Sequence, residues 1–283
     1  MFLRCGKFQL SLTRPLIMGV LNVTPDSFSD GGKFIELKHA LMHANALIAE
    51  GADILDIGGE STRPGAAPVS LEEERRRVLP LIEALAGGTV PLSIDTQKPQ
   101  LMREAVAAGA SMVNDVYGFR ATGTIGAFGA FGAFEAVAAG NAAICIMHMQ
   151  GEPANMQQHP RYADVVDEVR TYLAERVRAA EAAGIVRQRI AIDPGFGFGK
   201  TLEHNLALLR NLRKFTDLGV TLLAGLSRKT MLGKLTGREP AERVYASVAA
   251  AMVAVQNGAQ IVRVHDVAAT RDALAVLHAV QQI

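Results

Sequence analysis

The chain is short of the features that mark several large protein classes, and each shortage excludes something. It holds two cysteines, Cys5 and Cys145, in 283 residues. That is too few for a disulfide framework or a zinc site, and Cys145 lies in an apolar run where cysteine acts as a small core residue. Neither sign of charge prevails: 29 Lys and Arg face 28 Asp and Glu, for a formal net charge of +1. No nucleic-acid or polyanion surface is announced by such a balance. The longest apolar run, between Val244 and Val255, has twelve residues, too few to span a bilayer. Arg4 and Lys7 are followed by no long apolar stretch, so no signal peptide is read and a cytoplasmic location is expected. Common catalytic signatures are also missing: no Ser-His-Asp order, no activated cysteine and no His-Glu-x-x-His spacing.

What is present is an alternation. About half of the residues are apolar, enough for a sizeable single core. Short apolar, β-rich runs begin near Leu16, Asp53, Val90, Ser111, Ala142, Arg189, Val220 and Gln260, and helical spacing follows each, with the fourth helix poorly marked. Continuous apolar strands suit a parallel sheet buried on both faces. Eight such units predict an α/β fold of the (β/α)8 or TIM-barrel type, one domain over residues 1–283. Residues 1–14 read as a small hairpin that plugs the barrel floor. Ser70 with Glu73 predicts a capping box, ahead of a face made by Leu71, Val78, Leu81, Ile82 and Leu85. Tyr162, Val165, Val166, Val169, Leu173 and Val177 predict another helix, closed by Gly184. The helix between Val244 and Val255 is apolar almost all round, which predicts a second face covered by a partner subunit. Residues 126–134 read Gly-Ala-Phe three times, a period that fits no helix. They predict a lengthened loop, residues 119–134, whose phenylalanines need cover.

Polar residues collect where the strand runs end: Asn22, Asp56, Asp95, Asn114, His148, Asp193, Lys229, Arg263 and His265. In a barrel these ends form one rim, where active sites are built. A single strand-end Asp can merely cap a helix, but a polar group ending nearly every strand is harder to explain that way. Lys229, Arg263 and His265 come from the last two units, a frequent phosphate site. The run from Asp193 to Thr201 resembles a P-loop, yet only three residues separate Gly195 from Gly199 where four are needed. It reads as a flexible loop that brings backbone near a ligand, its phenylalanines packing the loop or forming an aromatic wall. Residues 22–36 and 60–70 mix glycine, proline and charge, a composition suited to lids. Residue chemistry alone leads to group transfer or elimination at a phosphorylated heterocycle.

Eight blocks then stand together in order: Met18-Gly-Val-Leu-Asn-Val-Thr-Pro-Asp-Ser-Phe-Ser-Asp-Gly-Gly32, Asp53-Ile-Leu-Asp-Ile-Gly-Gly-Glu-Ser-Thr-Arg-Pro-Gly65, Ser93-Ile-Asp-Thr96, Asn114-Asp115, Met147-His-Met-Gln-Gly151, Asp193-Pro-Gly-Phe-Gly-Phe-Gly-Lys200, Ser227-Arg-Lys229 and Arg263-Val-His-Asp266. Together they resemble the dihydropteroate synthase family over nearly the whole chain. The resemblance implies a transferase of folate biosynthesis, the sulfonamide target, that condenses 6-hydroxymethyl-7,8-dihydropterin diphosphate with p-aminobenzoate. It implies a carbocation-like substitution, Mg²⁺ as cofactor and a homodimer.

The resemblance also implies site residues. Asp95, Asn114, Met147, Asp193 and Lys229 would hold the pterin, with Arg263 over its face. Asn22, Thr62, Arg263 and His265 would grip the diphosphate, and Asn22 would help hold Mg²⁺. Phe28, Thr62, Arg63, Pro64, Phe198, Lys229 and Thr230 would receive p-aminobenzoate. Asp30, Arg63, Asp95, Lys229 and Arg263 would carry the catalysis, Asp30 by steadying the cation or taking the amine proton. The Gly-Ala-Phe repeat departs from the family's shorter connection there. Two rival readings are a corrinoid methyltransferase on the same barrel, which lacks support in any Asp-x-His-x-x-Gly motif, and a silent pterin-binding paralogue.

Overall fold

The structure, a computed structural model, describes residues 1–23, 33–61, 67–124, 130–153 and 155–281. An N-terminal hairpin, β1 (Phe2–Cys5) and β2 (Phe8–Ser11), precedes the first barrel unit, β3 (Leu16–Asn22) and α1 (Lys33–Ala49). There follow β4 (Ile54–Gly58), α2 (Leu71–Leu85), β5 (Leu92–Asp95), α3 (Pro99–Ala108) and β6 (Met112–Asp115). A small hairpin, β7 (Thr122–Thr124) and β8 (Ala130–Gly132), leads into the short α4 (Ala133–Ala138). The second half runs β9 (Ala143–Met147), α5 (Val165–Ala182), β10 (Ile190–Asp193), α6 (Leu202–Arg210), β11 (Thr221–Ala224), α7 (Thr230–Thr236), α8 (Val244–Gln256), β12 (Ile261–Val264) and α9 (Val267–Gln281).

Eight strands close into a parallel barrel in the order β10-β11-β12-β3-β4-β5-β6-β9. These are the eight apolar runs read from the sequence. The period of two explains the interior. Leu16, Met18, Ile54, Met112, Ala143, Cys145, Ala191, Leu223 and Ile261 form one apolar cluster with Leu3 and Cys5 of the first hairpin. The hairpin is thus the floor plug, and the Cys5 thiol donates to the Ser111 carbonyl at 3.2 Å. Two positions further along several strands, the inward residue turns polar: Ile54 gives way to Asp56, Met112 to Asn114, Ala191 to Asp193 and Ile261 to Arg263.

Helix signals read from the sequence mostly hold, with instructive exceptions. Ser70 caps α2, accepting from the Glu73 N–H at 3.2 Å. The other half of the capping box is absent, because the Glu73 carboxylate turns forward to Arg76 and Arg77. Asp164 caps α5, so Tyr162 lies ahead of the helix and its hydroxyl donates to the Gly199 carbonyl at 2.9 Å. Of the loop read as 119–134, residues 119–124 and 130–134 are described. Its described ends pair as an antiparallel hairpin, and its last residues begin α4. Phe134 finds cover under Phe119, with parallel rings 5.1 Å apart, and beneath the Arg176 guanidinium.

Candidate active site

The site grows from the inward residues at the C-terminal ends of the strands. Arg263 on β12 reaches across the barrel. Its Nε donates to Asp56 Oδ2 at 2.5 Å, and its terminal nitrogen donates to Asp95 Oδ2 at 2.8 Å. Asn114 adds its amide to Asp56 Oδ2 at 3.3 Å. Register places Asp95 beside both Gly58 and Asn114, and Ser93 beside Asp56. A guanidinium fixed by two carboxylates cannot swing, and it presents its plane rather than its N–H edge.

Two glycines leave the space. A Cβ at Gly225 would meet Asp193 Oδ2 at 3.5 Å and Arg263 Cβ at 3.9 Å. A Cβ at Gly58 would meet Asn22 Oδ1 at 3.6 Å and Asp95 Oδ2 at 4.0 Å. Around this space, buried oxygens lack hydrogen-bond partners among the described residues: Asp56 Oδ1, Ser93 Oγ and Asp95 Oδ1. Buried acceptors left unmet are costly unless a ligand meets them.

Electrostatics follow from crowding. Burial pushes the carboxyls of Asp95 and Asp193 up, and Arg263 opposes the shift at both. Lys229 is pulled down to about 8, first by loss of water and then by Arg263. Its ammonium lies 4.0 Å from the centre of the Phe198 ring. Phe198 also shares an apolar cluster with Met147, Met149, Met156 and Val116. His265 is pulled down to about 3 by burial and by Arg263 and Arg228. Its Nδ1 lies 3.0 Å from Ser227 Oγ, which also accepts from the His265 N–H. The imidazole is therefore neutral, and a Ser227 hydroxyl donating to Nδ1 leaves Nε2–H free to donate.

The structure brings Asn22, Asp95, Asn114, Met147, Asp193, Phe198, Lys229, Arg263 and His265 to the same end of the barrel, each in or just beyond a strand. Thr230 is exposed on the first turn of α7. The expectations for Phe28, Asp30, Thr62, Arg63 and Pro64 lie outside the described residues. Sequence reasoning noticed Asp56 only as one strand end among many. Its signal was its period: it shares a strand face with Ile54 and Gly58, inside the barrel. The run from Asp193 to Thr201, expected to be flexible, is instead pinned. Gly195, Gly197 and Gly199 all take left-handed backbone, and the Gly195 N–H donates to Asp193 Oδ1 at 2.7 Å.

The model of the family described as pterin binding enzyme matches residues 18–265, so the chain belongs to that family. Curated relatives 42–51% identical to the chain are dihydropteroate synthases. The one from Escherichia coli K12 is 48% identical over 271 residues, covering 95% of this chain and 93% of its own. Several similar solved structures carry bound molecules. Dihydropteroate synthase of Xanthomonas albilineans with 4-aminobenzoic acid is 53% identical, with a TM-score of 0.89 over 100% of this chain and 98% of its own. That of Burkholderia cenocepacia complexed with 7,8-dihydropteroate is 52% identical, with a TM-score of 0.88 over 99% and 96%.

Proposed function

We propose that the chain catalyses the dihydropteroate synthase reaction, joining 6-hydroxymethyl-7,8-dihydropterin diphosphate to p-aminobenzoate and releasing diphosphate. The observation that carries this reading is the Asp56–Arg263–Asp95 bridge beside unmet buried acceptors. A pterin ring is flat and rich in N–H donors, so it suits carboxylate and amide oxygens at its edge and a guanidinium plane at its face. Asp95, Asn114 and Asp193 take the edge, Lys229 donates to a ring acceptor, and Met147 packs beside it. The Xanthomonas albilineans relative holds 4-aminobenzoic acid and the Burkholderia cenocepacia relative 7,8-dihydropteroate, a substrate and the product of this reaction.

Diphosphate leaves before the amine attacks, in a dissociative substitution. The Asp95 and Asp193 carboxylates favour the positive charge that develops on the ring. Arg263 contributes charge toward the leaving group, and His265 contributes a neutral N–H. Phe198 and Thr230 hold p-aminobenzoate, the second by its hydroxyl. Asp30 and Arg63 keep their expected roles from sequence.

The residues also fit Mg²⁺, in a limited way. Among the described residues no group of three or more His, Cys, Asp or Glu could hold a metal. Asn22 offers one neutral oxygen near Gly58 and Asp95, which matches an ion that shares its coordination with substrate phosphate oxygens. Mg²⁺ bound there would supply charge neutralisation to the diphosphate.

Two further readings complete the proposal. The outer side of α8 leaves Tyr245 88% exposed while Ser247, Ala250, Ala251 and Ala254 face inward. That face suits a second copy of the chain. Among the described residues no helix is long and apolar enough to cross a membrane. The two free cysteines, both buried, fit a cytoplasmic setting.

Release of diphosphate from the pterin substrate, measured with Mg²⁺ and with or without p-aminobenzoate, tests the function. Release that depends on p-aminobenzoate and yields dihydropteroate supports it. Pterin binding without release would leave a silent paralogue.

A further inference from the structure

Lys200 follows the three left-handed glycines and is 3% exposed. Its ammonium donates to the carbonyls of Gly195 and Phe198, each at 2.9 Å, and meets His148 Nδ1 at 3.0 Å, with the His148 carbonyl at 3.4 Å. Burial pulls Lys200 down to about 7 while Asp193 opposes the shift; in its charged form it has three hydrogens, and three close acceptors receive them. The His148 ring can be one because burial and the neighbouring Lys200 charge pull it down to about 2, leaving it neutral. Among the described residues no carboxylate bonds to Lys200. The chain has wrapped backbone oxygens around its own cation, as it would around a bound metal ion.

The wrapping depends on glycine. A Cβ at Gly195 would collide with the His148 carbonyl, and one at Gly199 with the Gln150 carbonyl. Other polar groups of the loop are occupied too. The Gly197 N–H donates to Asn205 Oδ1 at 2.7 Å, its carbonyl accepts from the Gln157 side chain, and the Gly199 carbonyl accepts from Tyr162. Of the loop's two phenylalanines, Phe196 is buried in the core, and the Phe198 ring lies beneath the Lys229 ammonium. A Cβ at Gly197 would stand 3.2 Å from Lys229 Cδ, so the same backbone also borders the Lys229 stem.

We propose that Lys200 is a positioning residue for the second substrate, a tethered internal cation that holds residues 195–198 so that the Phe198 ring stands as a wall for p-aminobenzoate. The inference rests on the assignment of Phe198 and Lys229 above. Lys200 itself touches no substrate, since it is buried and its hydrogens are spent. Asp95 and Asn114 hold the pterin edge from other strands, and Asp193 lies in β10 ahead of residues 195–198, so loss of Lys200 should act on p-aminobenzoate far more than on the pterin.

The test is a split of kinetic constants in the whole enzyme. Wild-type turnover comes first; without it the functional reading fails, and this inference fails with it. Given turnover, Lys200→Met should raise the KM for p-aminobenzoate about tenfold, while calorimetric Kd for the pterin diphosphate stays within about threefold. Unchanged constants in a folded Lys200→Met protein would overturn the proposal. So would an equal rise for both substrates, which is what general loosening gives. If Lys200→Met shows no cooperative melting, Lys200→Gln decides. It keeps two N–H donors and should raise the p-aminobenzoate KM about threefold with pterin Kd unchanged; no rise there overturns the proposal.

Discussion

The two ends of the barrel are built from the same eight strands and obey opposite rules. At the floor, Leu3 and Cys5 of β1 sit among Met18, Ile54, Met112 and Cys145, and the interior is apolar. At the rim, the same strands present Asp56, Asp95, Asn114, Asp193 and Arg263, and some of their oxygens have no partner among the described residues. One end is complete by itself, and the other waits for a ligand. Stability and chemistry are thereby separated by two or three residues along each strand, which is the division this fold favours.

Mutations should respect that division. The largest effect is expected at the rim: Lys229→Ala should lower kcat/KM about a hundredfold or more, with a melting temperature close to wild type. Near-normal turnover in that variant would remove Lys229 from the pterin site. At the floor the pattern should invert. Met18→Ala should cost about 3 kcal/mol of stability, roughly 6 to 12 °C in melting temperature, with kcat/KM changed less than about twofold. A large loss of turnover there, in folded protein, would break the comparison.

A pH experiment sharpens it. Lys229 carries its proton below about 8 and loses it above. If the charged form is what donates to the ring, Kd for a pterin ligand should rise about tenfold between pH 7 and 9. The trend should vanish in Lys229→Met; a flat wild-type profile would show that the charge is not needed. The smallest effect belongs to neither end. Ser70→Ala removes the cap of α2 and should cost about 1 kcal/mol in denaturant titration, leaving both KM values unchanged.

How much of this was legible depended on range. Strand positions were readable because a buried parallel strand declares itself within a few residues, and rim residues because they end those runs. The Arg263–Asp56 bond was not, since it joins residues 207 positions apart and only barrel closure brings them together. The same holds for Lys200 and His148, 52 positions apart. A glycine-rich run reads as loose in isolation, and the lysine that pins it acts through backbone atoms that every residue possesses. Tyr162 keeps the right spacing for a helix, whereas Asp164, two residues on, is the cap and the helix starts at Val165. Of the Gly-Ala-Phe segment, the described residues 130–134 take a strand and the start of α4, an order that cross-strand pairing and Phe119 supply and composition does not.

The floor plug also has a kinetic side. Its hairpin lies between residues 2 and 11, yet the surface that receives Leu3 and Cys5 is assembled from strands as distant as Ile261. No partial barrel offers that surface whole. The hairpin can form locally and early, but it must then wait, apolar face uncovered, until the last strand has closed the ring. Refolding of this chain should therefore finish at the end where its sequence starts.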